Sequence, residues 1–314
     1  MKRTKDVRIA SAALKSGKLA AFATETVYGL GADAGSDKAV AAVFAAKERP
    51  AFNPLIAHVS SLDAALKIGR FNDGALALAK SFWPAPLTII VPKRPDARLS
   101  LLVTAGLDSI AIRVPAHPLA RQLLQEFGGP VAAPSANPSG AISPTRPEHV
   151  IAGLGGKVDV LLDGGACQVG VESTIVSCLE TPPVILRQGG ISQEALGLEF
   201  AAASGRKPAS PGQLKSHYAP RAAMRLDAVK PRPGEALLAF GRDVPGHDGP
   251  VLNLSPSGDV TEAAANLFAM LHQLDETGAG TIAVMPVPAH GLGAAINDRL
   301  SRAAAPRNQT LART

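Results

Sequence analysis

The sequence predicts an α/β protein whose main sheet is not purely parallel, followed across a break by a second, smaller α/β domain. Two observations carry this. Through about the first two hundred residues short apolar strand candidates alternate with helical stretches, then strands follow in a row from Val158 to Arg187. Near Ser204 a run rich in Pro, Gly, Ser and basic residues interrupts the pattern, after which strands and helices resume.

KLAAFAT (Lys18 to Thr24) reads as the first strand. Ser36 suits the cap of a helix whose apolar face is Val40, Val43 and Phe44. LIAHV (Leu55 to Val59), LTIIVP (Leu87 to Pro92), SIAIRVP (Ser109 to Pro115) and VAAP (Val131 to Pro134) are further strands, with VDVLLD, STIVSC and VILR completing the series. The segments assign 1–204 to a first domain, 205–232 to a basic interdomain linker and 233–314 to the second domain. In the latter, EALLAF (Glu235 to Phe240) and TIAVMPVP (Thr281 to Pro288) read as strands. DVTEAAANLFAMLHQLDETG (Asp259 to Gly278) is an amphipathic helix with a glycine stop, and a second helix runs from Leu292 to about Ala305.

Apolar residues make up 46% of the chain and charged residues 18%, which provides for a buried core and excludes wholesale disorder. Two cysteines, Cys167 and Cys178, do not make a disulfide framework and read as small core residues. No stretch approaches the length of a membrane span, and the basic N-terminus leads into no long apolar run, so a soluble, cytoplasmic protein is expected. Between Arg206 and Arg232 seven basic residues face one acid, so this segment carries the whole net charge of +6. A nucleic-acid coat would spread its charge more widely. Confined charge suggests a local anionic ligand or a solvated linker.

No phosphate loop of the G-x-x-x-x-G-K-[ST] type, no H-E-x-x-H, no cysteine–histidine cluster and no nucleophile elbow is present. TETVYGLG (Thr24 to Gly31) instead places hydroxyls and a carboxylate at the C-terminal end of a strand, where open α/β sheets bind ligands, although taken alone such a stretch is more often an ordinary strand-to-turn junction. In KERPAFNPLIAHV, Lys47 and Arg49 followed by Asn53 and Pro54 would suit a phosphate clamp, although cations also favour helix C-termini. Period-two alternation in SIAIRV puts Ser109, Ala111 and Arg113 on one face, and an arginine there needs an ion-pair partner or an anionic ligand. APSANPSGAISPT (Ala133 to Thr145) offers hydroxyls and backbone donors, as a plain surface loop also would; ESTIV and LRQGG set polar groups beside apolar strands.

TETVYGLGADA, the Lys47–Arg49–Pro54–Leu55 pattern, PSANPSG, ESTIV and LRQGG occur in one order that, with the linker SPGQLKSHYAP and the tail containing INDRLSRAA, resembles the YrdC-like family in its two-domain form. The resemblance implies a twisted mixed sheet around a deep, positively charged cavity and a small Rossmann-like C-terminal domain. It implies an L-threonylcarbamoyladenylate synthase activity, in which L-threonine, bicarbonate and ATP, with Mg2+, give threonylcarbamoyl-AMP and diphosphate. A separate transferase complex would then modify tRNA, whether or not this chain itself touches tRNA. By the same resemblance Thr26, His58, Arg113, Ala133 and Ser173 surround threonine. Arg49, Asn53, Ser109, Ser135, Ser143 and Arg187 hold ATP, Tyr218 reaches over the nucleotide, and Lys47 joins Arg49 as the catalytic basic pair; no metal ligand is assigned. The charged linker is expected to close over the cavity as a lid. A non-catalytic RNA-binding protein using the same cavity is the competing reading, and a carbamoyl transferase with another acceptor is a third.

Overall fold

A computed structural model of the chain describes residues 1–50, 52–201 and 216–306. The first domain runs β1 (Lys2–Thr4), α1 (Val7–Lys15), β2 (Ala20–Phe22), β3 (Gly29–Asp33), α2 (Asp37–Lys47), β4 (Ile56–His58), α3 (Leu62–Leu66), α4 (Asp73–Phe82) and β5 (Leu87–Pro92). It continues with α5 (Leu101–Thr104), β6 (Ser109–Arg113), α6 (Pro118–Phe127), β7 (Val131–Ala132), α7 (Pro147–Leu154), β8 (Val160–Leu162), β9 (Thr174–Ser177), β10 (Val184–Arg187) and α8 (Gln193–Leu196). Among the described residues these ten strands join one sheet in the order β1-β8-β2-β3-β7-β4-β6-β5-β9-β10. Parallel pairs such as β4–β6 and β5–β9 alternate with antiparallel ones such as β2–β3 and β5–β6, so the sheet is mixed as expected.

Local chemistry accounts for the elements that set the site. The Ser36 side chain accepts from the Ala39 amide and opens α2, whose Val40, Val43 and Phe44 are buried. Glu48, in the left-handed region at φ 53°, ends it and turns Arg49 off the helix. The alternation read in β6 is real: Ile110, Ile112 and Val114 pack with Ile68, Leu78 and Leu87, while Ala111 meets Ile56, Ile90 and Ile175 on the other side. β3 was not expected as a strand, because its glycines read as a tight turn. Gly31 is instead a close-approach residue, since a Cβ there would stand 2.9 Å from both the Phe22 and Val131 side chains of the flanking strands.

The second domain contains β11 (Ala223–Arg225), β12 (Ala236–Ala239), β13 (Val251–Asn253), α9 (Val260–Glu276), β14 (Thr281–Val284) and α10 (Gly293–Ala304), its strands all parallel in the order β11-β14-β12-β13. β11 lies inside the segment read as linker. Its residues pair with Thr281, Ile282 and Ala283, and Arg221 and Arg225 form ion pairs with Asp275 and Glu235. Two of the linker's cations thus belong to the second domain's own fold rather than to a lid. Arg206, Lys207 and Lys215 lie outside the described residues.

The first domain adds to the core of the second: Val27, Ile142 and Val171 pack in a cluster with Leu267, Phe268 and Leu271 of α9. At this seam Gly170, at φ +76°, approaches α9 so closely that a Cβ would fall 2.3 Å from the Ala264 carbonyl oxygen and 2.5 Å from the Ala265 Cα. His149 and His272 stack across it with ring centroids 3.9 Å apart.

Candidate active site

Residues at or just beyond the ends of β2, β4, β6, β7 and β10 line a hollow, together with His217 and Tyr218. Thr24 shapes one wall, its hydroxyl donating to the Val27 carbonyl at 2.6 Å and lying 2.8 Å from the Thr26 hydroxyl. Arg113, at the end of β6, is 3% exposed, and its charge is balanced within the fold. One Nη donates to Glu25 Oε1 at 2.5 Å and the other to Thr26 Oγ1 at 3.0 Å, while Nε is buried with no hydrogen-bond partner. Glu25 in turn accepts from the Ala116 and His117 amides. The ion pair demanded by an arginine in an apolar strand therefore exists, and the arginine still lines the hollow.

Arg187, at the end of β10, donates to the Ser173 carbonyl and hydroxyl, and Ser173 lies 2.8 Å from the Thr88 hydroxyl. Arg49 donates to the Asn53 and Pro54 carbonyls at 3.2 and 2.9 Å. Burial is the largest influence on both cations. It pulls Arg49 down to about 10, which leaves that guanidinium charged near neutrality, and it lowers Arg187 as well. His58 is drawn to about 3 by burial and then by the Arg113 charge, which leaves a neutral imidazole facing the hollow. Tyr218 holds φ 63°, a left-handed conformation that costs a bulky residue roughly 1–3 kcal/mol and persists only where its surroundings impose it.

Nine of the anticipated residues line this hollow: Thr26, Arg49, His58, Arg113, Ala133, Ser135, Ser173, Arg187 and Tyr218. Four do not. The Lys47 ammonium is 1% exposed and donates to the backbone carbonyls of Ser135 and Asn137, so it braces the PSANPSG loop and does not line the hollow that Arg49 lines. Burial pushes it well below the ordinary lysine range, with the Arg49 charge adding to the effect. Ser109 starts β6 opposite Pro92, roughly 13 Å along the strand from Arg113, outside the hollow. Asn53 accepts from Arg49 through its backbone carbonyl, and its side-chain oxygen is buried without a hydrogen-bond partner. The Ser143 hydroxyl is spent on Glu172 Oε1 at 2.6 Å.

Sequence reasoning noted the Glu25 carboxylate of TETVYGLG without giving it a role, and passed over Glu172, His217 and Arg299 as site residues. Glu172 is 6% exposed, lines the hollow and accepts from Arg299 Nε at 2.9 Å. Burial alone would raise its carboxyl; the Arg299 and Arg187 charges and the Ser143 bond outweigh this, and the net shift is downward. A carboxylate beside the apolar run of ESTIV was the available signal for Glu172. Arg299 had none beyond its place in INDRLSRAA, because its partner lies 127 positions away. Among the described residues no three His, Cys, Asp or Glu side chains gather into a metal-holding group.

Residues 12–189 match the Sua5/YciO/YrdC profile, described as telomere recombination. The chain belongs to the Sua5/YciO/YrdC family. Residues 184–305 match a second profile, that of the threonylcarbamoyl-AMP synthase C-terminal domain, so this member carries the two-domain form. Its similarity extends over nearly the full length of two-domain relatives. The threonylcarbamoyl-AMP synthase of Bacillus subtilis is 39% identical over 97% of this chain and 95% of its own. That of Pyrococcus abyssi is also 39% identical, over 95% and 93%. The crystal structure of P. abyssi Sua5 complexed with L-threonine superposes with a TM-score of 0.86 at 37% identity, covering 96% of each chain. The mixed sheet and the arrangement of both domains are therefore those of this family.

Proposed function

We propose that this chain is an L-threonylcarbamoyladenylate synthase, joining L-threonine, bicarbonate and ATP into threonylcarbamoyl-AMP and diphosphate. A separate transferase complex would carry the group to tRNA, and a cytoplasmic location fits the substrates; among the described residues no helix is long and apolar enough to cross a membrane. The observation that carries the reading is convergence. Arg49, Arg113 and Arg187, from three separated segments, line one hollow together with the hydroxyls of Thr26, Ser135 and Ser173. Full-length similarity to proteins named for this activity supports the same reading. We read the hollow as the family's basic cavity and the parallel second sheet as its Rossmann-like domain.

The chemistry needs no activated side-chain nucleophile. Threonine's neutral amine and bicarbonate condense to a carbamate with loss of water, and a carbamate oxygen attacks the α-phosphorus as the bond to diphosphate breaks. The protein supplies position and charge. Arg113, whose Nε has no partner, fits the threonine carboxylate, and the neutral His58 bounds the same end. Arg49 and Arg187 offset the phosphates. Magnesium needs few protein ligands when phosphates hold it, so the absence of a three-ligand cage among the described residues is compatible with an ion carried in on ATP. Glu172 is the acid lining the hollow, and it would be the side chain nearest in character to such an ion. Once bound, magnesium would neutralise part of the charge on the departing diphosphate.

A diphosphate-release assay that omits threonine and bicarbonate in turn tests the proposal. Release should require both. Release that needs neither, or RNA binding without release, would reject the synthase in favour of the binding protein. Arg49→Ala should weaken ATP by the loss of a charge-assisted contact, about 1.5–3 kcal/mol, and normal turnover in that variant would remove Arg49 from the site.

A further inference from the structure

Arg299 belongs to α10 of the second domain, yet its side chain lies entirely out of solvent, among the largest fully buried in the chain. A buried guanidinium is costly unless its donors are used. Its Nε donates to Glu172 Oε2 at 2.9 Å. Its Nη1 donates to the Gln188 carbonyl at 2.7 Å and to its neighbour Asp298 at 2.9 Å. Its Cζ stands 5.4 Å from the centroid of the Tyr218 ring, within the range of a cation–π contact. Its Nη2 is buried with no hydrogen-bond partner.

Glu172 and Tyr218 line the hollow, and Gln188 directly follows Arg187, which lines it as well. Arg299 itself does not. A residue placed only to glue two domains together would not need to reach two lining residues of the hollow and the neighbour of a third. We propose that Arg299 is a positioning residue of the reaction hollow, supplied by the second domain, which fixes Glu172, the Arg187–Gln188 segment at the end of β10 and the Tyr218 ring in their places. Glu172 is the main link: Ser143 holds one carboxylate oxygen and Arg299 the other, so its rotamer is set from both sides. The second domain is thereby part of the substrate site, although none of its helices opens onto it.

The activity arm of the test rests on the synthase reading; the binding arm does not. In the full-length protein, Arg299→Met should raise the Kd for ATP, measured calorimetrically without threonine, by about tenfold or more. It should lower kcat/KM for diphosphate release by a similar factor, in protein whose circular dichroism is native and at a temperature well below its melting point. Arg299→Lys keeps the charge but not the planar fork, so it should recover part of that loss. Arg299→Met combined with Glu172→Gln should cost clearly less than the product of the two single effects, since both act through one contact. ATP affinity and KM within about twofold of wild type in folded Arg299→Met would overturn the proposal. A lower melting point with unchanged KM, or full additivity with Glu172→Gln, would overturn it too, by leaving Arg299 a structural or independent role. Where Arg299→Met does not fold, Arg299→Lys carries the same comparison. A wild-type protein that binds ATP but releases no threonine-dependent diphosphate would sink the synthase reading alone, and the binding arm would still judge Arg299.

Discussion

Lys47 and Arg49 stand at the end of α2 within one turn of each other, but their cations meet different partners. Lys47 looks inward and bridges two carbonyls of the PSANPSG loop, whereas Arg49 reaches the hollow from a loop it also braces. Charge type alone could not separate them, since both suit phosphate. Exposure and bonding do. Lys47→Met removes the donor for two buried carbonyls and should destabilise the protein by about 1–3 kcal/mol. A thermal melt should show this as a fall of roughly 3–10 °C, with any weakening of ATP arising secondarily from a displaced loop. An unchanged melting point with abolished turnover would return Lys47 to the chemistry. Arg113 makes the opposite point. It has a structural partner, Glu25, and a place in the hollow at once, so the two readings of a buried strand arginine were never exclusive.

Elements whose pattern is set by local burial were legible: β5 runs from Leu87 to Pro92 as read, α9 falls within its predicted stretch, and the Ser36 cap is made as expected. The misses have a common origin in contacts that are distant in sequence. β3 looked like a turn because its glycine makes room for Phe22 and Val131. β11 looked like linker because its three residues gain their pairing from β14, more than fifty positions later. Ser109 was placed in the site by the family resemblance, which does not say which end of its strand faces the hollow. The α7–α9 contact was equally invisible, and it has a pH signature. Burial, then the neighbouring His272, holds His149 down at about 3, and burial lowers His272 as well. An unfolded histidine titrates near 6.5, so below that pH the unfolded chain takes up protons that the folded pair refuses. Stability should therefore fall as pH drops from about 6.5 toward 3 and be flat above, by at most about 1.4 kcal/mol per pH unit for each histidine. Urea midpoints followed downward from about pH 8 will show a shallower decline in a His149→Phe/His272→Phe variant if the stack contributes. Equal slopes would exclude it.

At the scale of the molecule the two domains are joined through apolar packing as well as charge. Removing the second would uncover Val27, Ile142 and Val171 and leave Glu172 without its arginine. A chain ending at Ser204 should therefore bind an apolar dye and hold ATP more weakly than the full protein, by about tenfold or more. A dye-silent fragment of full affinity would show that the first domain is self-sufficient. This sets the fragment apart from an ordinary separable module, whose boundary crosses few contacts.

The seam at Gly170 has an evolutionary corollary. What a methyl group would strike there is main chain, the Ala264 carbonyl and the Ala265 Cα, not the tip of a side chain. A clash between side chains can be cured by trimming one of them, but no exchange of residues in α9 moves its own backbone out of the way. Position 170 is therefore closed to drift: a lineage could leave glycine only by re-seating a whole helix, and with it the domain that the helix carries.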